Sequence, residues 1–220
     1  MAWLRPLRLV VCPSLSYFAA FTAQRAFNLH TMDWSRRPHI QRAADLLWSG
    51  EIIAYPTEAV WGLGCTPFDE QAVYRLLAIK QRDVEKGLIL VAADVSQFAD
   101  LLRPLSDAQR RTLQQSWPGP VTWLVPDLES RVPDYIKGSH SGVALRVSAH
   151  PVVVGLCRAF GGPLVSTSAN PQGKRPARQP WQVHAYFGDQ LGMVTPGCVG
   201  GRARPTEIRD LLTGELVRAG

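Results

Sequence analysis

The chain has 220 residues and a mass of 24.3 kDa, with 46% hydrophobic and 19% charged side chains, the balance of an ordinary globule with one sizeable core. Its formal net charge of +6 is too mild for a protein held on nucleic acid by charge alone, although a local basic patch stays open. Cys12, Cys65, Cys157 and Cys198 form no CxxC and no close pair, which excludes zinc and redox motifs and argues against a disulfide framework.

Residues 1–32 stand apart: they hold Arg5, Arg8 and Arg25 and no acid, leaving 21 basic against 18 acidic groups in the rest. Their apolar run is broken by Pro13 and serines and is too short to span a bilayer. A signal or transit peptide would have a similar basic front. The simpler expectation is a start at Met32, with 1–32 an extension that is disordered or untranslated and 33–220 a single domain.

From Ser35 the pattern is regular. "SRRPHIQRAADLLWSG" places Ile40, Ala43, Ala44, Leu47 and Trp48 at helical spacing, with Ser35 as the expected cap and Gly50 as the stop. "EIIAY" reads as a strand and "PTEAVWGLGCTP" as a loop. A second amphipathic helix follows in "DEQAVYRLLAIKQR", then a buried strand, "LILVA". Two short helices come next, the second opening on the capping box Ser106 to Gln109. Strand "VTWLV", a loop to Gly142, strand "VALRV", a helix from Pro151 and strand "PLVS" complete the centre. The chain closes with a short helix near Trp181, the Gly-rich bend "PGCVGGRARP", and a pair of strands, "TEIRDL" and "ELVRAG". With no internal repeat, this order predicts an α/β domain around one twisted mixed sheet with flanking helices.

Several motifs are excluded. "GLGCTP" lacks the third glycine of a dinucleotide fingerprint, and no Walker loop exists. "GSHSG" puts His140, not a serine, at the centre, so it is no nucleophile elbow. The five histidines show no metal-ligand spacing.

Three segments instead place polar or cationic groups at strand ends, where open α/β sheets bind ligands. They are "YPTEAVWGLG" with Thr57, "KQRDVEKGLIL" with Lys80, Arg82 and Lys86, and "VSTSANPQGKRP" with Ser166, Ser168 and Asn170. A lysine with an arginine suits phosphates, but a helix C-terminus alone accounts for Lys80 and Arg82, and a turn alone for the serines and Asn170. Arg146 is harder to set aside. Inside "VALRV" its guanidinium needs an anionic partner, either an internal carboxylate or a ligand.

Taken in order, "AYPTEAVWGLG", "KQRDVEKGLIL", "WPGPVTWLVP", "VALRVSAHP", "LVSTSAN" and "RPTEIRDLLTGELVRAG" resemble the YrdC-like threonylcarbamoyl-AMP synthase family in its short bacterial form. The resemblance covers about residues 35–220. It includes a K-x-R … S-x-N signature at Lys80, Arg82, Ser168 and Asn170. It implies a YrdC-like fold with a concave basic pocket. It also implies a nucleotidyltransferase reaction: L-threonine, bicarbonate and ATP give threonylcarbamoyl-AMP and pyrophosphate, for threonylcarbamoyladenosine in tRNA.

By motif position Lys80, Arg82, Ser168 and Asn170 would be catalytic, and with Lys86 would bind ATP. Thr57, Arg146, Ser166 and Thr206 would receive threonine. ATP would come as a substrate with Mg2+, with no tightly bound cofactor and no protein metal site. The expected setting is cytoplasmic, away from membranes, with downstream tRNA threonylcarbamoyl-transfer proteins as partners and weak RNA contact. One departure stands out: Asp83 occupies the position after the arginine where the family carries proline. The rival reading is a non-catalytic RNA-binding or ribosome-maturation module, resting on "KRPARQPW". A carbamoyl transferase of the hydrogenase-maturation type is disfavoured, because such chains are far longer and carry zinc fingers.

Overall fold

The computed structural model describes residues 33–219, so the expectation for residues 1–32 lies outside the described residues. Nine strands form one mixed sheet in the order β7-β1-β2-β6-β3-β5-β4-β8-β9. They are β1 (Ile53–Pro56), β2 (Trp61–Cys65), β3 (Ile89–Ala92), β4 (Val121–Pro126) and β5 (Gly142–Val147), then β6 (Leu164–Ser168), β7 (Met193–Val194), β8 (Glu207–Asp210) and β9 (Leu216–Arg218). Helices α1 (Pro38–Trp48), α2 (Glu70–Lys80), α3 (Ala99–Leu102), α4 (Asp107–Ser116), α5 (Asp134–Lys137), α6 (Pro151–Phe160) and α7 (Pro180–Phe187) flank it.

Alternation along the strands divides the core into two layers. Ile53, Tyr55, Val91 and Leu164 point to one face, where α1 brings Ile40, Ala43 and Leu47 and α6 brings Val153, Leu156 and Phe160. Ala54, Leu63, Leu90, Leu145 and Val165 point to the other. There they meet Val73 and Leu76 of α2, Leu113 of α4, and Val183 and Phe187 of α7.

Local chemistry explains most boundaries. Asp69 caps α2 by accepting from the amides of Gln71 and Ala72, and Gln81 ends it in the left-handed conformation at φ 54°. The expected capping box at Ser106 and Gln109 is present in full. Three expectations need correction. Ser35 does not cap α1; it lies in the short 3-10 turn Trp34–Arg36, and Pro38 at the first helical position sets the start. The segment before Gly142 is not all loop, since it contains α5.

The third correction is β2. "WGLGC" is a fully buried strand, paired with β1 on one side and β6 on the other. Its glycines serve close packing rather than a turn. A Cβ on Gly64 would stand 2.6 Å from the Val165 carbonyl oxygen and 2.8 Å from the Tyr55 ring.

Candidate active site

The face covered by α1 and α6 is left open farther along the sheet, and the alternating residues of that face make the floor of a cavity of about 730 Å³. Such a volume is ordinary for a small-molecule site. Ser166 of β6 pairs with Ile89 of β3, Ile89 with Ala144 of β5, and Ala144 with Leu124 of β4. These four residues form one transverse row on the floor, and all line the cavity. Ser166 and Ala144 contribute only small side chains to this row. Its lining includes Arg82, Lys86, Lys137, Arg146 and Arg218 and, among the described residues, no Asp or Glu. That wall suits an anionic ligand.

Seven of the nine residues singled out in the sequence line this cavity: Thr57, Arg82, Lys86, Arg146, Ser166, Ser168 and Thr206. The Arg82 guanidinium donates through one nitrogen to the carbonyls of Lys86 and Gly87, at 3.2 and 2.8 Å, while its Nε is buried and has no protein partner. Asp83 causes no conflict. It is exposed, and its carboxylate accepts from the Glu85 amide at 3.0 Å, capping the turn Val84–Lys86.

Lys80 and Asn170 stand behind the wall rather than on it. The Lys80 ammonium, 4% exposed, donates to the carbonyls of Ser168 and Asn170. Its own carbonyl accepts from the Gln172 amide at 2.9 Å. Burial, and then the charge of Arg82, pull its pKa down to about 8. Ser168 Oγ donates to Asn170 Oδ1 at 2.6 Å, and Asn170 Nδ2 donates to the carbonyls of Pro171 and Lys174. The signature residues are therefore brought together, but Lys80 and Asn170 chiefly as a brace for the strand end.

The partner that Arg146 requires is internal. Its Nη2 lies 3.2 Å from Glu58 Oε2, and Nη1 donates to Thr206 Oγ1 at 3.3 Å. The buried guanidinium thus does not by itself demand a ligand. Glu58 also accepts from Ser148 Oγ at 2.6 Å, and Ser148 Oγ accepts from the His150 amide at 3.1 Å. Burial alone would raise the Glu58 carboxyl; Arg146 and Ser148 outweigh it and hold the group below its ordinary value. His150, buried at the start of α6, meets the Cys198 carbonyl through Nε2, and burial holds its pKa below the usual imidazole value.

Sequence reasoning missed Glu58, Lys137, His140 and Arg218. The acidic partner of Arg146 was legible only as a requirement, because Glu58 lies nearly ninety residues away along the chain. Arg218 sits on a short edge strand, where partial desolvation and then the like charges of Arg82 and Arg146 lower its pKa. Among the described residues, no group of three or more His, Cys, Asp or Glu is placed to hold a metal ion, and no helix is long and apolar enough to cross a membrane.

Fold and cavity together define an α/β protein with one mixed sheet and, on one face of it, a cavity whose lining includes several cationic side chains. A family model for the Sua5, YciO and YrdC domain, described as telomere recombination, matches residues 45–220. A threonylcarbamoyl-AMP synthase of Cellvibrio japonicus is 58% identical over 187 residues, 85% of this chain and 98% of the relative. One from Marinobacter nauticus is 53% identical over 80% of this chain and 93% of its own length. YciO of E. coli superposes with a TM-score of 0.73 at 25% identity, covering 82% of this chain and 88% of its own. Sua5 of P. abyssi, solved in complex with L-threonine, gives 0.75 at 30% identity; it matches 81% of this chain, which spans 53% of that protein. The chain belongs to the Sua5/YciO/YrdC family.

Proposed function

We propose that this protein is a threonylcarbamoyl-AMP synthase, condensing L-threonine, bicarbonate and ATP to threonylcarbamoyl-AMP and pyrophosphate for the modification of tRNA. The single observation that carries the reading is the cavity itself. Arg82, Lys86, Ser168, Arg146 and Thr206, drawn from distant parts of the chain, line one space with several cations and, among the described residues, no acid. Relatives 58% and 53% identical to this chain over the matched residues bear that enzyme's name.

The chemistry fits such a wall. The threonine amine, freed of its proton, bonds to the carbon of bicarbonate and a C–O bond breaks, so that carbamate forms and water leaves. A carbamate oxygen then attacks the α-phosphorus of ATP, and pyrophosphate leaves. Every participant is anionic, so the protein's contribution is to hold like charges close together and to steady the charge developing on the leaving group. No covalent nucleophile is required.

Arg82 and Lys86 would hold the triphosphate, with Ser168 at its side; Lys80 and Asn170 would belong to the same ATP site through the brace they form. Thr57, Ser166 and Thr206 would surround threonine, with Arg146 facing its carboxylate. Mg2+ would arrive on the ATP phosphates, since the described residues offer it no carboxylate cluster. Residues 33–220 would be the catalytic unit. A threonylcarbamoyl-transfer protein would consume the labile product in the cytoplasm. Weak RNA contact would fall on the exposed Lys174, Arg175 and Trp181.

Pyrophosphate release is expected only with threonine, bicarbonate and ATP together. Release with threonine left out would point to another acceptor. No release under any combination, together with RNA binding, would favour the non-catalytic module.

A further inference from the structure

Arg146 projects from an inner strand, is 6% exposed, and shares its surroundings with Arg82 and Arg218. Guanidinium groups lining one cavity repel one another, and a long side chain has rotamers by which to escape. Its escape is blocked from behind. Glu58, from the turn between β1 and β2, sets Oε2 3.2 Å from Arg146 Nη2. The carboxylate cannot swing away easily, because Ser148 Oγ donates to its other oxygen at 2.6 Å, and the His150 amide in turn donates to Ser148 Oγ. On the far side Arg146 Nη1 bonds Thr206 Oγ1, and Nε has no protein partner.

The same turn also fixes the strap that carries Thr206. The Gly200 amide donates to the Thr57 carbonyl at 2.9 Å, and the Arg202 amide donates to the Glu58 carbonyl at 3.3 Å. A Cβ on Gly200 would stand 2.8 Å from that Glu58 oxygen, so the strap lies directly against the turn. Glu58 is therefore ion-paired with the buried cation by its side chain and hydrogen-bonded to the strap by its main chain, while it is not itself part of the cavity lining.

We propose that Glu58 is the positioning residue of the amino-acid subsite, holding the Arg146 guanidinium in the orientation that receives the substrate carboxylate. The assignment rests on the synthase reading above. Glu58 touches no substrate. Its effect is preorganisation: the donor is already aimed when the carboxylate arrives, and no reorientation is needed on binding.

The test titrates threonine and ATP separately in a pyrophosphate-release assay on the full chain. Glu58→Gln is expected to raise the threonine KM roughly tenfold or more while the ATP KM stays within about twofold. Glu58→Asp, which keeps the charge on a shorter arm, should recover part of the loss. Ser148→Ala leaves the ion pair and removes the tether together with the acceptor of the His150 amide, so a rise of about threefold in the threonine KM is expected; it also covers the case in which Glu58→Gln does not fold. Equal rises in both KM values, or Glu58→Gln and Ser148→Ala both matching the unsubstituted enzyme, overturn the assignment. Pyrophosphate release by the unsubstituted enzyme without threonine would instead overturn the synthase reading, and this assignment with it.

Discussion

Lys80 and Arg82 are two positions apart, yet they meet different surroundings. Lys80 is turned inward onto two carbonyls, and Arg82 faces the cavity. In the folded chain Lys80 gives up its proton at about 8, against an unperturbed value of 10.5. Between those values the unfolded chain binds more protons, so this group makes stability rise with pH across that window; below it the cost of burying the charge is fully present. Burial pushes the Cys65 and Cys157 thiols up to about 12, which acts the other way in the same range, so the Lys80 effect is read as a difference: from pH 8 to pH 10 the urea-unfolding stability of the unsubstituted protein should change more favourably than that of Lys80→Met. Arg82→Ala is expected to reduce turnover at least hundredfold, an effect of the size seen for lost electrostatic stabilisation. Its stability should fall by only about 1–2 kcal/mol, the worth of the bonds to Lys86 and Gly87. A loss of fold in Arg82→Ala would make that arginine structural. Both side chains stand out in the sequence as a pair of a kind suited to phosphates, but which of them reaches the cavity was not legible there. The direction of a side chain after a helix end depends on the left-handed turn at Gln81 and on what packs above it.

Strand β2 shows how element-scale reading fails and why. Two glycines two apart, after a proline and a threonine, carry the signature of a loop, and only the partners on both sides reveal a strand. Gly64 is glycine because Tyr55 and the Val165 carbonyl occupy the place of its Cβ. Gly64→Ala should therefore cost roughly 1–3 kcal/mol by overpacking, read as a lower midpoint in thermal unfolding. Gly62, whose Cβ would meet Thr57 Cγ2 at 3.2 Å and Tyr55 at 3.3 Å, lines the cavity. Gly62→Ala is expected to be milder in stability and more visible in substrate KM. An unchanged melting curve for Gly64→Ala would contradict the packing argument. Strand β6 also extends farther than its apolar letters suggest. Thr167 and Ser168 remain paired to β2, so the polar residues of "VSTS" are strand, not loop.

At the scale of the molecule, the cationic lining makes ligand capture sensitive to ionic strength. Raising salt from about 0.05 to 0.5 M should weaken ATP binding more than threonine binding, because ATP carries more charge into the same field. Equal weakening of the two would argue against a triphosphate seat at Arg82 and Lys86. A chain beginning at Met32 is expected to release pyrophosphate within about twofold of the full-length rate, since the described core and cavity lie within residues 33–219; a large loss would give residues 1–32 a part in the chemistry. By itself the sequence determined the order of most helices and strands, the α/β class, and the short segments whose residues line the cavity. All of these are written in local periodicity, caps and motif spacing. Only the tertiary structure decided that β2 is a strand, that Lys80 lies behind the wall, and that Glu58 answers Arg146. Those facts depend on which residues meet across the sheet, and meetings between positions far apart in the chain are set by register and packing, which no local pattern encodes.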